Sequence, residues 1–323
     1  MKWRIKSGFS VEAFERSQSR SRRLADYLAI YIQNFAPLHR TKTNELLDFL
    51  ENPDEGRIVV YFGLSYSGKP CGFATLMFYP GANVGIIDHL AISPTNRGYG
   101  AFFSFCELIA EYLEQHKFIC NYLLAEIVLS DEPISTGTTP LTLIRLTRFV
   151  GFRIANLPYY APDPLIITNK ESCRAALMII TQPDKPSIEA DELIELLRVI
   201  YFKHYAAWYE RVMSAELFSE YKTAITKSFV SLSDYARSEK RIKINGMKNF
   251  DMPYVLEPAS ELNIGIVGYA TLFALPAILT IIVAFEHDTV VTAASIIGTA
   301  ILFTLMLIPK FRNPLLKFFQ LKR

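Results

Sequence analysis

Residues 85–113, GIIDHLAISPTNRGYGAFFSFCELIAEYL, decide how the rest of the chain is read. The first of them form an apolar run with strand character that stops at Pro94. A glycine-containing turn follows, Asn96-Arg97-Gly98-Tyr99-Gly100, and an amphipathic helix begins at Ala101. Backbone N–H groups in the first turn of a helix lack intrahelical partners, and the helix dipole adds partial positive charge there. A glycine-rich turn bares these groups, so an anion, above all a pyrophosphate, can rest on them. The turn has no Gly-Lys-Ser/Thr, which argues against a nucleoside-triphosphate P-loop. It also lacks the GxGxxG spacing and the later acidic residue of a dinucleotide fold.

On these residues the chain resembles the GNAT family of N-acetyltransferases. There a strand ends in a hydrophobic triplet and leads into Arg-Gly-x-Gly-x-Gly/Ala and a helix. Here the triplet is Leu90-Ala91-Ile92 and the loop is Arg97-Gly98-Tyr99-Gly100-Ala101-Phe102. The resemblance implies that backbone N–H groups of Arg97, Gly98, Tyr99, Gly100, Ala101 and Phe102 bind the pyrophosphate of acetyl-CoA. It also implies that Leu90, Ala91 and Ile92 pair with the pantetheine arm. Phe102 departs from the family's small residue.

Acetyl transfer to an amine needs a polarised thioester, a base for the amine and an acid for the leaving thiolate. Glu126, in an otherwise apolar strand, is the first candidate base, because burial raises a carboxyl pKa. His89 and Asp88, on the strand feeding the loop, are the others. Side chains alternate along a strand, so Asp88 and His89 are not expected to share the cleft. The acid is the weak point. Aligned with the family's helix, RLTRFVGF (residues 145–152) places Thr147 where a Tyr would stand, so either solvent protonates the thiolate or another group such as Tyr159 or Tyr160 reaches in. No residue spacing points to a metal.

Outward from this stretch, residues 9–36 read as a helix and residues around 43–50 as a shorter one. Residues 57–66 and 71–79 read as a hairpin, and 84–92 as the strand before the turn. Strands near 122–129, 153–160 and 175–181 surround a helix at 141–150. That order is the acetyltransferase order and covers roughly residues 20–182. Residues 188–212 and 216–238 read as two amphipathic helices, the first carrying the aromatic stripe Tyr201, Phe202, Tyr205, Trp208 and Tyr209. Such a stripe is expected to be core.

The chain has 323 residues, half of them hydrophobic, and a formal net charge of +2, which gives no footprint for nucleic acid. Cys71, Cys106, Cys120 and Cys173 lie far apart and read as reduced thiols of a cytosolic compartment. Near the C-terminus, residues 264–285 and 290–309 carry no charge. Each is long enough to span a hydrocarbon core of about 30 Å, which needs about 20 helical residues. The acidic turn Glu286-His287-Asp288-Thr289 separates them, and lysines and arginines flank both. That asymmetry places both termini in the cytoplasm, with the protein multi-pass in the inner membrane.

The expected architecture is therefore α/β (α+β): a GNAT-like mixed, mostly antiparallel sheet flanked by helices, a helical region, and two transmembrane helices. The boundaries are 1–183, 184–250 and 251–323, so a fragment ending near Ser238 is expected to fold. The expected activity is that of a membrane-anchored N-acetyltransferase using acetyl-CoA on an amine-bearing small molecule or peptide. The expected partners are that acceptor, the lipid bilayer and a second copy of the chain. The alternative is a catalytically degenerate acyl-CoA-binding sensor or adaptor at the membrane.

Overall fold

The computed structural model describes residues 8–35, 40–129 and 138–244. Among these residues no helix is long and apolar enough to cross a membrane; the two expected spans, 264–285 and 290–309, lie outside them.

The centre is a seven-stranded mixed sheet. Its strands are β1 (Phe9–Phe14), β2 (Ile58–Tyr66), β3 (Lys69–Tyr79), β4 (Val84–Ile92), β5 (Tyr122–Val128), β6 (Arg153–Ile154) and β7 (Ala175–Thr181). They lie in the order β1-β2-β3-β4-β5-β7-β6. Every pairing is antiparallel except β4 with β5. The helix α3 (Ala101–Gln115) is the crossover that makes this parallel pair possible. The fold is thus a mixed, mostly antiparallel α/β arrangement, as the sequence reading expected.

Alternation along the strands sends apolar residues to both faces. On one face Tyr61, Phe73, Met77, Ile86, Leu124 and Leu177 belong to one apolar cluster with residues of α1 (Arg22–Asn34) and α2 (Thr43–Glu51). On the other, Val60, Phe62, Leu64 and Leu76 meet Phe105, Ile109 and Tyr112 of α3. Ile127, Phe152 and Met178 meet Ile144 of α4 (Pro140–Phe149). Phe105 is fully buried, and burying a side chain of this size is worth about 1.5–3 kcal/mol.

The first stretch differs from its sequence reading. Phe9–Phe14 is not the start of a long helix but an edge strand, paired from Phe9↔Tyr66 to Phe14↔Tyr61. FSVEAF carries Phe at both ends and a Val, and the available edge of β2 outweighs its weak helical pattern. The helix is confined to α1, whose Leu24, Tyr27, Leu28 and Tyr31 face the sheet.

The second region is built from β8 (Ser187–Glu189), then α5 (Ala190–Arg198), a π-helical segment (Val199–Ala206) and α6 (Ala207–Val212), followed by α7 (Ala215–Glu239) and β9 (Arg241–Lys243). Leu193, Leu197, Tyr201, Trp208, Tyr221, Ile225 and Leu232 belong to the same apolar cluster as α1, α2 and the sheet. Strand β9 pairs with β8. The Lys243 carbonyl accepts from Asn156 N–H at 2.8 Å, and Ile242 and Ile244 are buried. A cut near Ser238 would therefore remove the buried Ile242 and Ile244.

Candidate functional site

Strands β4 and β5 are hydrogen-bonded only from Val84↔Tyr122 to Ile87↔Ala125. Beyond that point they diverge, and a wedge opens between Asp88–Ile92 and Glu126–Val128. A β-bulge causes the divergence. Opposite β3 the register runs His89↔Thr75 and then Ile87↔Leu76, so Asp88 is the extra residue. A bulge bends its strand and re-aims the side chains beside it. As a result Asp88 and His89 both line the cavity, against the expectation from simple alternation.

That cavity has a volume of about 250 Å³. Leu90, Phe102, Ile127, Leu143 and Phe152 form apolar wall, and Asp88, His89, Glu126 and Asp163 bring ionisable groups. His204, Tyr205, Trp208 and Tyr209, from the π segment and α6, complete it. Trp208 is fixed by a parallel stack on Phe49, with ring centroids 3.6 Å apart at 9°.

Two polar systems meet there. In the first, Asp88 accepts from His89 Nδ1 at 3.0 Å through Oδ2, and faces His204 Nε2 at 3.5 Å through Oδ1. His204 Nδ1 in turn lies 3.0 Å from the Tyr79 hydroxyl. The His89 backbone N–H donates to Thr75 Oγ1 at 3.0 Å, and the ring packs edge-on to Tyr31 and Phe35. Burial acts to raise the Asp88 pKa, but the charges and hydrogen bonds of His89 and His204 prevail and hold it well below the usual carboxylate range. Proton donors thus occupy both oxygens of Asp88, and His89 Nε2 has no partner among the described residues.

In the second system, Glu126 accepts from the hydroxyls of Tyr159 and of Tyr205, the latter at 2.5 Å. Burial pushes its carboxyl up to about 7, although both hydroxyls favour the ionised form. Burial likewise raises both phenols well above their ordinary value, so they stay protonated as donors. Tyr159 is fully buried behind Glu126, which suits a positioning role better than that of thiolate acid. Tyr160 turns elsewhere, toward Glu171 and Lys170. Thr147 reaches the cavity, but its hydroxyl is directed at the Leu143 and Ile144 carbonyls of its own helix, at 2.9 and 3.0 Å.

The turn at Pro94–Tyr99 is a 3₁₀ helix rather than an open loop, and Gly100 follows with φ +76°. A side chain at that φ is strained, so glycine is what lets the chain enter α3 so abruptly. Arg97 braces the turn: Nε donates to the Ile92 carbonyl at 3.1 Å and a terminal nitrogen donates to Asn34 Oδ1 at 2.7 Å. Its guanidinium is a structural strut, and the anion-binding groups on offer are the N–H donors of the first turn of α3. Leu90 and Phe102 reach the cavity, while Ala91, Ile92 and Ala101 are buried in the core. Sequence reasoning missed His204 and Tyr205, because the aromatic stripe at 201–209 reads as core; a histidine within that stripe was the available signal.

No family model matches the sequence, and no curated protein matches it. Solved structures similar to this chain include a ribosomal-protein-S18-alanine N-acetyltransferase from Escherichia coli, at 18% identity and TM-score 0.35, covering 54% of this chain and 93% of that one. A protein assigned to the GNAT acetyltransferase family from Bacteroides thetaiotaomicron has 14% identity and TM-score 0.40, covering 60% and 98%. A ribosomal L7/L12 alpha-N-protein acetyltransferase in complex with coenzyme A has 11% identity and TM-score 0.38, covering 55% and 96%.

Proposed function

We propose that the chain is an N-acetyltransferase that uses acetyl-CoA to acylate an amine, held at a membrane by residues 264–285 and 290–309. The observation that carries this reading is the wedge between β4 and β5, which opens on a cavity holding Glu126. The fit is specific. The β5-facing side of β4 beyond Ile87, which pairs with no strand, can take an extended amide-containing arm, and the α3 N-terminus behind Gly100 can take a pyrophosphate. The thioester supplies the activated acetyl group. Glu126, with its pKa near 7, or His89, oriented by Asp88, accepts the proton that the amine loses as its nitrogen bonds to the carbonyl carbon and the C–S bond breaks. Solvent returns a proton to the thiolate, since Thr147 is turned to its own helix. Calorimetry with acetyl-CoA on the detergent-solubilised chain, followed by thiol release with an amine panel, tests the reading. Micromolar binding with thiol release supports it; absence of binding refutes it.

The state of Thr147 favours a second reading, a sensor that binds acyl-CoA without turnover. Binding without thiol release for every amine would select it.

A further inference from the structure

The acceptor end of the cavity has a definite chemistry. Asp88, Glu126 and Asp163 line it, and no Lys or Arg stands among the described residues that do. Asp88 is held ionised by its two histidines, so a negative charge is fixed there near neutral pH. A carboxylate- or phosphate-bearing acceptor meets three carboxyls, against which the described lining sets only the imidazoles of His89 and His204. The lining is also aromatic, from Trp208, Tyr209 and Tyr205, whose hydroxyl donates to Glu126. It is also rigid: Trp208 is stacked on Phe49, and the Arg211 guanidinium lies 4.3 Å from the Phe49 ring centroid. Rigid aromatic faces attract a cation and stack on a flat apolar group, which a linear polyamine does not offer. His89, nine-tenths buried, lines the same space with Nε2 unpartnered among the described residues.

The geometry points to a small, singly charged ammonium bearing a flat apolar group, an arylalkylamine, as the acceptor. This rests on the acetyltransferase reading and narrows it. The ammonium sits between the carboxyls and the aromatic wall, then gives one proton to Glu126 or His89 before its nitrogen attacks.

Calorimetry on the full chain, with and without coenzyme A, tests it with four probes: 2-phenylethylamine, 3-phenylpropionate, spermidine and a serine-initiated tetrapeptide. The amine is expected to bind at least about tenfold more tightly than the isosteric acid, spermidine or the peptide. Asp163→Asn, which preserves the acceptor oxygen that caps Leu165 N–H at 2.8 Å, should weaken the amine about tenfold and tighten the acid. Trp208→Phe, which keeps a ring against Phe49, should weaken it by a smaller factor. Equal binding of amine and acid, or tighter binding of spermidine or the peptide, overturns the proposal. If coenzyme A itself fails to bind, the acetyltransferase reading falls, and the amine-to-acid ratio measured without it still decides whether the cavity selects an aromatic cation.

Discussion

His204 Nε2 stands 3.5 Å from Asp88 Oδ1, while the other oxygen of the same carboxylate accepts from His89 Nδ1 at 3.0 Å. A residue of the C-terminal helical region thus clamps a residue of the central sheet across a separation of more than a hundred positions. The clamp holds the His89 ring through Nδ1, so Nε2 is the ring nitrogen left for a substrate.

Asp88→Asn removes the charge that orients His89 and leaves the shape intact. If His89 is the base, turnover should fall about a hundredfold with little change in acetyl-CoA affinity, read by thiol release and calorimetry. The stability effect has a definite sign. The folded-state pKa of Asp88 lies below its ordinary 3.8, so its contribution is complete above that value and is lost as pH falls through the depressed one. The Tm difference between wild type and variant should therefore be full at neutral pH and shrink on strong acidification.

Glu126→Gln separates the two candidate bases. The pKa of Glu126 is raised to about 7, so activity that depends on its ionised form should rise through pH 7, and the variant should lose that limb along with about a hundredfold in rate. A raised carboxyl pKa favours folding at low pH and costs stability as pH rises through 7. The variant should accordingly gain Tm relative to wild type between pH 5 and 8. An unchanged pH–rate profile would assign the base to His89.

Gly100→Asp places a carboxylate at the proposed pyrophosphate site, and Gly100→Asn supplies a neutral control of the same shape that tolerates φ +76°. Calorimetry should show acetyl-CoA affinity falling at least about tenfold more for Asp than for Asn. Equal affinities would remove the turn from the binding site.

Gly63→Ala tests how tightly α1 sits on the sheet. A Cβ at Gly63 would lie 2.4 Å from ring atoms of Tyr27, whose hydroxyl is hydrogen-bonded to Ser65 at 2.7 Å in a buried site. The ring cannot yield without breaking that bond, so thermal denaturation should show a loss of about 1–3 kcal/mol.

Truncation distinguishes fold from anchor. A fragment ending at residue 238 loses β9 with Ile242 and Ile244 and should aggregate, whereas one ending at residue 250 keeps them and should fold. If residues 264–285 and 290–309 hold the chain at a membrane, the 250-residue fragment should stay in aqueous solution while the full chain partitions into detergent.

Elements whose signals are local were legible in the residues alone. Periodicity gave β2 to β5 and α3, and only glycine adopts φ +76° at Gly100 without strain, so the abrupt entry into α3 is written in the residues. An ionisable residue in the apolar strand around Glu126 marked the raised pKa before any partner was known. Tertiary structure alone decided the rest. FSVEAF became a strand because the edge of β2 was open to pair with it. The bulge at Asp88 is a mismatch of register between two strands, which neither strand encodes separately, and it turned two candidates that alternation sets apart into hydrogen-bonded neighbours. His204 and Tyr205 entered the site because the apolar face of one helix is buried on the sheet, a long-range packing outcome that a helical stripe alone does not specify.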